Sequence, residues 1–288
     1  MKRLVFSAPF IAVLAVACVL AWAAVLTAPD QDLHVTFIDV GEGDAILIRT
    51  GGFKVLVDGG PSPQAVTGYL GQALPFWDRY IDLVVSTHPH DDHLMGLIEV
   101  VRRYEVGGVL TTPYEYDTGV YREWRSGVKE KALPYVTARL GQEIRLGGEA
   151  TLHVLHPGDG LLRGTGSDPN NNSVVLRLVS GSFSALLTGD IERDAENELL
   201  RAQPEIRSTV LKVPHQGART SLGQQLLEGV QPRLAILSTG RDNPFGHPAP
   251  ETLDRLKDTE VYRTDLDGNI EIDWDGQSYR VKAGRRTR

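Results

Sequence analysis

Cysteine is all but missing from the sequence: Cys18 is the only one, and it lies in an apolar N-terminal stretch. The rest of the chain can form no disulfide and offer no thiolate, so any metal ion must be held by nitrogen and oxygen. Positive charge is scarce as well. Of the formal net charge of −7, residues 1–30 contribute +1 through Lys2, Arg3 and Asp30, leaving −8 on residues 31–288. Such a domain lacks the lysine and arginine excess that drives non-specific nucleic-acid binding through counterion release. Bound cations would have to supply local positive charge. The basic ending at Arg285, Arg286 and Arg288 reads as a short solvated terminus. No linker or low-complexity stretch follows residue 30, which favours one domain over residues 31–288.

Long apolar runs are absent with one exception. Lys2 and Arg3 precede the uncharged residues 4–26, a stretch long enough to cross a hydrocarbon core of about 30 Å as a helix. Residues 1–30 are therefore expected to be a membrane anchor. The competing reading is a cleaved signal peptide, with Ala21-Trp22-Ala23 as a small-x-small site. Basic residues before the span place the following domain outside the cytoplasm, anchored in the cytoplasmic membrane or secreted.

From His34 onward, short apolar runs alternate with Gly, Asp, Asn and Pro, a strand-rich pattern with interspersed helices. Residues 35–40, 45–49 and 53–57 predict an antiparallel meander joined by Gly41-Glu42-Gly43-Asp44 and Gly51-Gly52. Residues 83–86 predict a buried strand, followed by a helix carrying Leu94, Leu97, Ile98 and Val101 on one face. A second half in the same style has strands predicted at 151–155, 173–179, 184–188, 209–213 and 234–238. Its helices fall near 191–202, 222–227 and 251–257, and strands near 269–273 and 278–281 close the chain. Residues 112–149 carry no clear pattern.

The sharpest chemical signal is Thr87-His88-Pro89-His90-Asp91-Asp92-His93, in which three imidazoles and two carboxylates crowd a strand-to-helix loop. These are the ligands preferred by zinc and manganese-type ions. His88, His90, Asp92 and His93 match the H-x-H-x-D-H motif, and the chain resembles the metallo-β-lactamase superfamily in order. The resemblance extends to the extracytoplasmic nuclease-like domain of ComEC-type DNA-uptake competence proteins. It is carried by Asp39-Val40-Gly41-Glu42-Gly43-Asp44-Ala45, residues 56–60, Asn171-Asn172-Ser173, residues 187–190, Lys212-Val213-Pro214-His215, Gly246-His247-Pro248 and Tyr262-Arg263-Thr264-Asp265.

That resemblance implies an α+β fold, the four-layer αβ/βα metallo-β-lactamase sandwich, preceded here by one N-terminal transmembrane or signal helix. It implies two divalent metal ions, zinc or manganese: His88 and His90 on one, Asp92, His93 and His247 on the other, and Asp190 bridging them. Asp58 would orient the site, and His215 would donate a proton or touch phosphate, unless His215 and His247 exchange roles. Lys212 is a candidate phosphate contact or an ordinary surface lysine, and Asn172 is a further catalytic candidate. The sequence departs from the family at Asn170–Asn172, where a third histidine is usual and His156 precedes, and at Gln216, where a second histidine is usual. An amide oxygen is a weaker ligand that suits harder ions.

The implied activity is metal-dependent hydrolysis of a phosphodiester, with DNA as substrate. The partners it implies are DNA or another phosphodiester, the membrane through residues 4–26, and a separate DNA-uptake channel protein, since this chain has at most one span. The rivals are a hydrolase of the same fold acting on a lactone, a β-lactam or a choline phosphoester, and a non-catalytic metal-bound scaffold.

Overall fold

The computed structural model describes residues 31–203 and 205–285, together with residues 10, 13–18 and 22. No helix among the described residues is long and apolar enough to cross a membrane. The anchor or signal helix expected over residues 1–30 lies for the most part outside the described residues.

The first half lays down β1 (Leu33–Phe37), β2 (Ile46–Thr50), β3 (Phe53–Val57), α1 (Pro63–Ala73), β4 (Tyr80–Ile81), β5 (Leu83–Ser86), α2 (Asp91–Arg103), β6 (Glu105–Val106), β7 (Val109–Thr111), α3 (Gly119–Glu130) and β8 (Tyr135–Thr137). The second half contains β9 (Glu143–Arg145), β10 (Ala150–His156), α4 (Asp168–Asn171), β11 (Val175–Ser180), β12 (Phe183–Leu187), α5 (Arg193–Ala202) and β13 (Val210–Lys212). It continues through a tight turn at Pro214–Gly217, α6 (Gln224–Val230), β14 (Leu234–Leu237), α7 (Pro250–Arg255), β15 (Glu260–Arg263), α8 (Thr264–Asp267), β16 (Ile270–Trp274) and β17 (Tyr279–Ala283).

Two sheets face each other. One runs β17-β16-β1-β2-β3-β5-β7-β8 and the other β15-β14-β13-β12-β11-β10-β9. Each is part antiparallel and part parallel. The meander β1-β2-β3 is antiparallel, with Val35 opposite Ile48 and Leu47 opposite Leu56. The sequence pattern explains the layering, because alternate strand residues point to opposite faces. Val35, Phe37, Ile46, Ile48, Val55 and Val57 enter the core between the sheets with Leu178, Phe183 and Trp274. Leu47 and Leu56 point the other way, under Leu70 of α1, Leu97 of α2 and Trp124 of α3. Leu186, Leu211 and Ala235 do the same beneath Leu199 of α5 and Leu226 of α6. Two helical layers therefore sandwich two sheets, and each fully buried Leu, Ile or Phe contributes about 1.5–3 kcal/mol relative to exposure.

Several expectations need adjustment. The first strand ends at Phe37 instead of residue 40, because Asp39 N–H donates to Asn269 Oδ1 and Ile38 N–H to Ala45 O, turning the chain toward the strand ends. Helix α1 has no counterpart in the expected pattern, although Ser62 caps it by accepting from Ala65 N–H and Pro63 opens its first turn. The unassigned residues 112–149 hold α3, which buries Tyr121, Trp124 and Val128, and the short strands β8 and β9. Arg285 is not simply solvated: its Nη2 lies 2.8 Å from Asp39 Oδ2.

Helix α2 docks unusually close to the turn after β3. Gly59 N–H donates to His93 O at 2.8 Å and Gly96 N–H to Gly60 O at 2.9 Å. A Cβ at Gly96 would sit 1.9 Å from Gly59 O. Gly96→Ala should therefore cost about 1–3 kcal/mol, read as a Tm lower by several degrees. Gly68→Ala in α1, where a Cβ meets nothing within 4 Å, should be neutral or stabilising by up to about 1 kcal/mol. Equal Tm values for the two variants would contradict the close docking.

Candidate metal centre

The parallel strands deliver the chemistry to one end of the sandwich. Asp58 follows β3, His88 follows β5, Asp190 follows β12 and His215 follows β13, and the carboxyl ends of parallel strands are where such folds place their sites. Gly43 lets the Gly41–Asp44 loop press onto the start of α2: its φ is +108°, and a Cβ there would lie 2.1 Å from Asp92 O.

The geometry is built around two fully buried groups, Asp58 and His93. Asp58 accepts from Thr87 N–H (2.8 Å) and Thr87 Oγ1 (2.7 Å), and its Oδ2 lies 2.8 Å from His93 Nδ1. That pairing turns His93 Nε2 outward, to 3.2 Å from Asp190 Oδ2. His88 Nε2 is 3.8 Å from the same oxygen and 3.1 Å from His90 Nδ1. His88, His93 and Asp190 thus form a buried group whose ligand atoms all lie within 4.8 Å of one another. The carboxylate of Asp92 is more exposed, with Oδ2 at 3.6 Å from His93 Nε2.

Burial would raise the pKa of Asp190, but His93, His215 and His88 outweigh it and hold the carboxyl well below its ordinary range. Burial would lower that of His93, but Asp190, Asp92 and Asp58 push it well above the usual value. His88 moves the other way: burial, reinforced by His93, keeps it neutral with a lone pair to offer. A neutral imidazole, a second imidazole held by a carboxylate on its far side, and an ionised carboxylate are a donor set suited to a divalent cation. The residues therefore fit divalent metal, with His88, His93 and Asp190 among the groups that would hold it.

The remaining candidates are distributed around this group. Lys212 is fully buried, not a surface lysine; its Nζ lies 2.6 Å from Asp44 Oδ2 and 3.9 Å from Asp190 Oδ1 and donates to Gly189 O. Burial opposes its charge, yet Asp44 and Asp190 outweigh burial and raise its pKa. Asp44 itself is pushed up to about 6 by burial, with Lys212 pulling the other way. His215, at φ +51°, has Nδ1 3.2 Å from Glu192 Oε1. Burial lowers its pKa, but Asp190 and Glu192 prevail and raise it.

His247 Nδ1 pairs with Glu42 Oε1 at 2.9 Å, and its ring centre is 5.5 Å from that of His215. Gln216 is the side chain that enters the cluster, with Nε2 3.2 Å from both oxygens of Asp190 and 3.4 Å from His93 Nε2. Asn172 is occupied in bracing its loop, donating to Leu162 O and Asp168 O. His156 places Nδ1 2.8 Å from Ser173 O and Nε2 3.9 Å from Glu198, outside the buried three-residue group. Of the three asparagines, Asn170 alone keeps a buried side-chain oxygen without a hydrogen-bond partner.

Asp44, Glu42 and Glu192, which face Lys212, His247 and His215, were not among the residues expected from the sequence to serve the site. The first two lie in the matched Asp39–Ala45 motif, which was the available signal; Glu192 had none beyond following Asp190.

Residues 38–241 match the family model described as the metallo-beta-lactamase superfamily. The chain belongs to the metallo-beta-lactamase superfamily. Its relatives include competence proteins of the ComEC type. ComE operon protein 3 of Bacillus subtilis is 28% identical over 263 residues, covering 83% of this chain and 32% of that protein. Competence protein ComA of Neisseria gonorrhoeae is 28% identical over 248 residues, covering 85% and 33%. Recombination protein 2 of Haemophilus influenzae is 30% identical over 248 residues, covering 84% and 29%. The chain spans about a third of the length of these relatives. Among solved structures, the fold is shared with YhfI of Bacillus subtilis (TM-score 0.56, 12% identity, 84% of this chain and 100% of that one). It is shared also with Igni18 of Ignicoccus hospitalis, a metallo hydrolase (TM-score 0.55, 15% identity, 83% and 98%).

Within this superfamily fold, the carboxylate behind His93 should govern metal affinity. Asp58→Asn keeps the size of the side chain but removes the charge that fixes the imidazole, and should weaken divalent-ion binding about 10–100-fold, read by calorimetric titration of zinc or manganese. Unchanged affinity would show that His93 needs no such support.

Proposed function

We propose that this metallo-hydrolase is a phosphodiesterase that cleaves DNA outside the cytoplasmic membrane, using two divalent ions. The observation that carries the reading is the position of Asp190 Oδ2, which faces His88 Nε2 at 3.8 Å and His93 Nε2 at 3.2 Å, one histidine from each expected ion. A carboxylate so placed suits a bridging ligand. Ions bound there would lower the pKa of water into the neutral range and offset charge on the phosphoryl oxygens.

The chain's own residues supply the rest. His215 stands beside the cluster, where Asp190 and Glu192 outweigh burial and raise its pKa, a placement that suits a proton donor to the departing oxygen. Glu192 orients it from the Nδ1 side. Lys212, anchored by Asp44, holds positive charge behind Asp190. Ring faces flank the site: Phe245, 69% exposed, stacks on His247 with centroids 5.7 Å apart, and Tyr116 lies 5.7 Å from His90. Unpaired bases stack on such rings without sequence preference, which favours single strands over duplex. The likeness to a protein named as a competence protein and to one named as a recombination protein supports DNA as the substrate class.

A second reading has its own observation. Gln216 meets both oxygens of Asp190 where a second histidine is usual, an arrangement that also suits a metal-bound scaffold without turnover.

The full chain, supplied with manganese or zinc, should cleave single-stranded DNA and a nitrophenyl phosphodiester and leave nitrocefin intact. His215→Ala should lower kcat on DNA about 10²–10⁴-fold and affect the nitrophenyl ester far less, because nitrophenolate leaves without a proton. Cleavage of nitrocefin alone would contradict the phosphodiesterase reading. Absence of any turnover that Asp190→Asn can abolish would support the scaffold.

A further inference from the structure

At the opposite end of β12, β13 and β14 from the metal centre lies a cavity of about 650 Å³, within the range of small-ligand sites. Its walls include Arg177 on β11, Arg207 and Arg233 on the segments entering β13 and β14, and the rings of Phe183, Trp274 and Tyr279. In a chain of net charge −7, three arginines converge here, and no carboxylate oxygen among the described residues lies within 4.0 Å of any of their guanidinium nitrogens. Arg177 is half-buried, and its Nε–Nη2 edge is held by Arg207 O, at 2.8 Å from Nη2 and 3.3 Å from Nε, and by Ser208 Oγ at 3.3 Å, which leaves its Nη1 side for a ligand. Burial lowers its pKa, and no acidic group offsets the loss. Asp275, in the β16–β17 turn, is already engaged by the N–H groups of Gln277 and Ser278.

A cation is excluded by the charge of the walls, and an apolar ligand by their polarity. Guanidinium forks match phosphate oxygens in pairs. The volume is far larger than one phosphate needs, and the half-buried Tyr279 ring, packed 6.3 Å from Phe183, offers a face to a planar base. We propose that this cavity binds the phosphate of a nucleotide unit, either free or within a single strand. The site stands on its own charge and shape, independent of what the metal centre hydrolyses. The five residues of β12 put its first and last residues roughly 13 Å apart, so the two sites do not overlap.

The test is calorimetric titration of the metal-depleted full chain with inorganic phosphate, thymidine 5′-monophosphate and a ten-nucleotide oligothymidine. Saturable binding of the monophosphate, at least tenfold tighter than inorganic phosphate, is expected. A still tighter oligonucleotide would assign the site to a strand, and an equal or weaker one to a free nucleotide. Arg177→Gln combined with Arg233→Gln should weaken nucleotide binding about a hundredfold, at about tenfold per charged contact. The metal-loaded double variant should hydrolyse the small phosphodiester as before. Should that variant not fold, Arg207→Gln, at an exposed side chain that makes no hydrogen bond or ion pair among the described residues, should still weaken binding about tenfold. Equal affinity for phosphate and nucleotide, or nucleotide affinity unaltered in these variants, would overturn the proposal.

Discussion

An ionised carboxylate at 1% exposure has to be balanced by positive charge, and Asp190 is such a group. His93 at 3.2 Å, whose pKa the surrounding carboxylates raise, Lys212 at 3.9 Å and the amide of Gln216 face it. Each of these is positioned by something behind it: Asp58 fixes His93, Asp44 fixes Lys212, and the turn with positive φ at His215 and Gln216 brings the amide inward. A divalent ion bound here would compete with protons for His93, so its binding should weaken as the pH falls.

The fold serves this electrostatic requirement by placing strand ends from both sheets around one point. Val174 N–H donates to Thr87 O, tying the start of β11 to the histidine loop, and Asp190 N–H donates to Ser173 Oγ. The glycines at 43, 59 and 96 allow backbone to approach backbone where a side chain would intervene. The same strands that carry ligands at their carboxyl ends open at their amino ends on the arginine-lined cavity.

Much of this was legible in the sequence because it is local. The meander β1–β3 shows in period-two alternation, and three histidines within six residues of one loop announce a metal site. Helix α1 was legible in principle, from Ser62 as cap and Pro63 as first residue, but Gly68 and Gly71 and only two buried residues, Val66 and Leu70, blur its periodicity. Helix α3 rests on Tyr121, Trp124 and Val128 amid charged residues, too sparse a stripe to read. Pairings over long separations left no mark: Glu42 with His247 and Asp44 with Lys212 become visible only when the sheets are assembled. Gln216 was noticed as a departure, but its entry into the cluster depends on a backbone conformation that the residue type does not announce.

The most direct measurement is a crystal structure of the protein grown with manganese, with the ions located by their anomalous scattering. Two ions per chain are expected, with Asp190 touching both and His88 and His93 on different ions. A single ion, or ions bound away from Asp190, would contradict this arrangement.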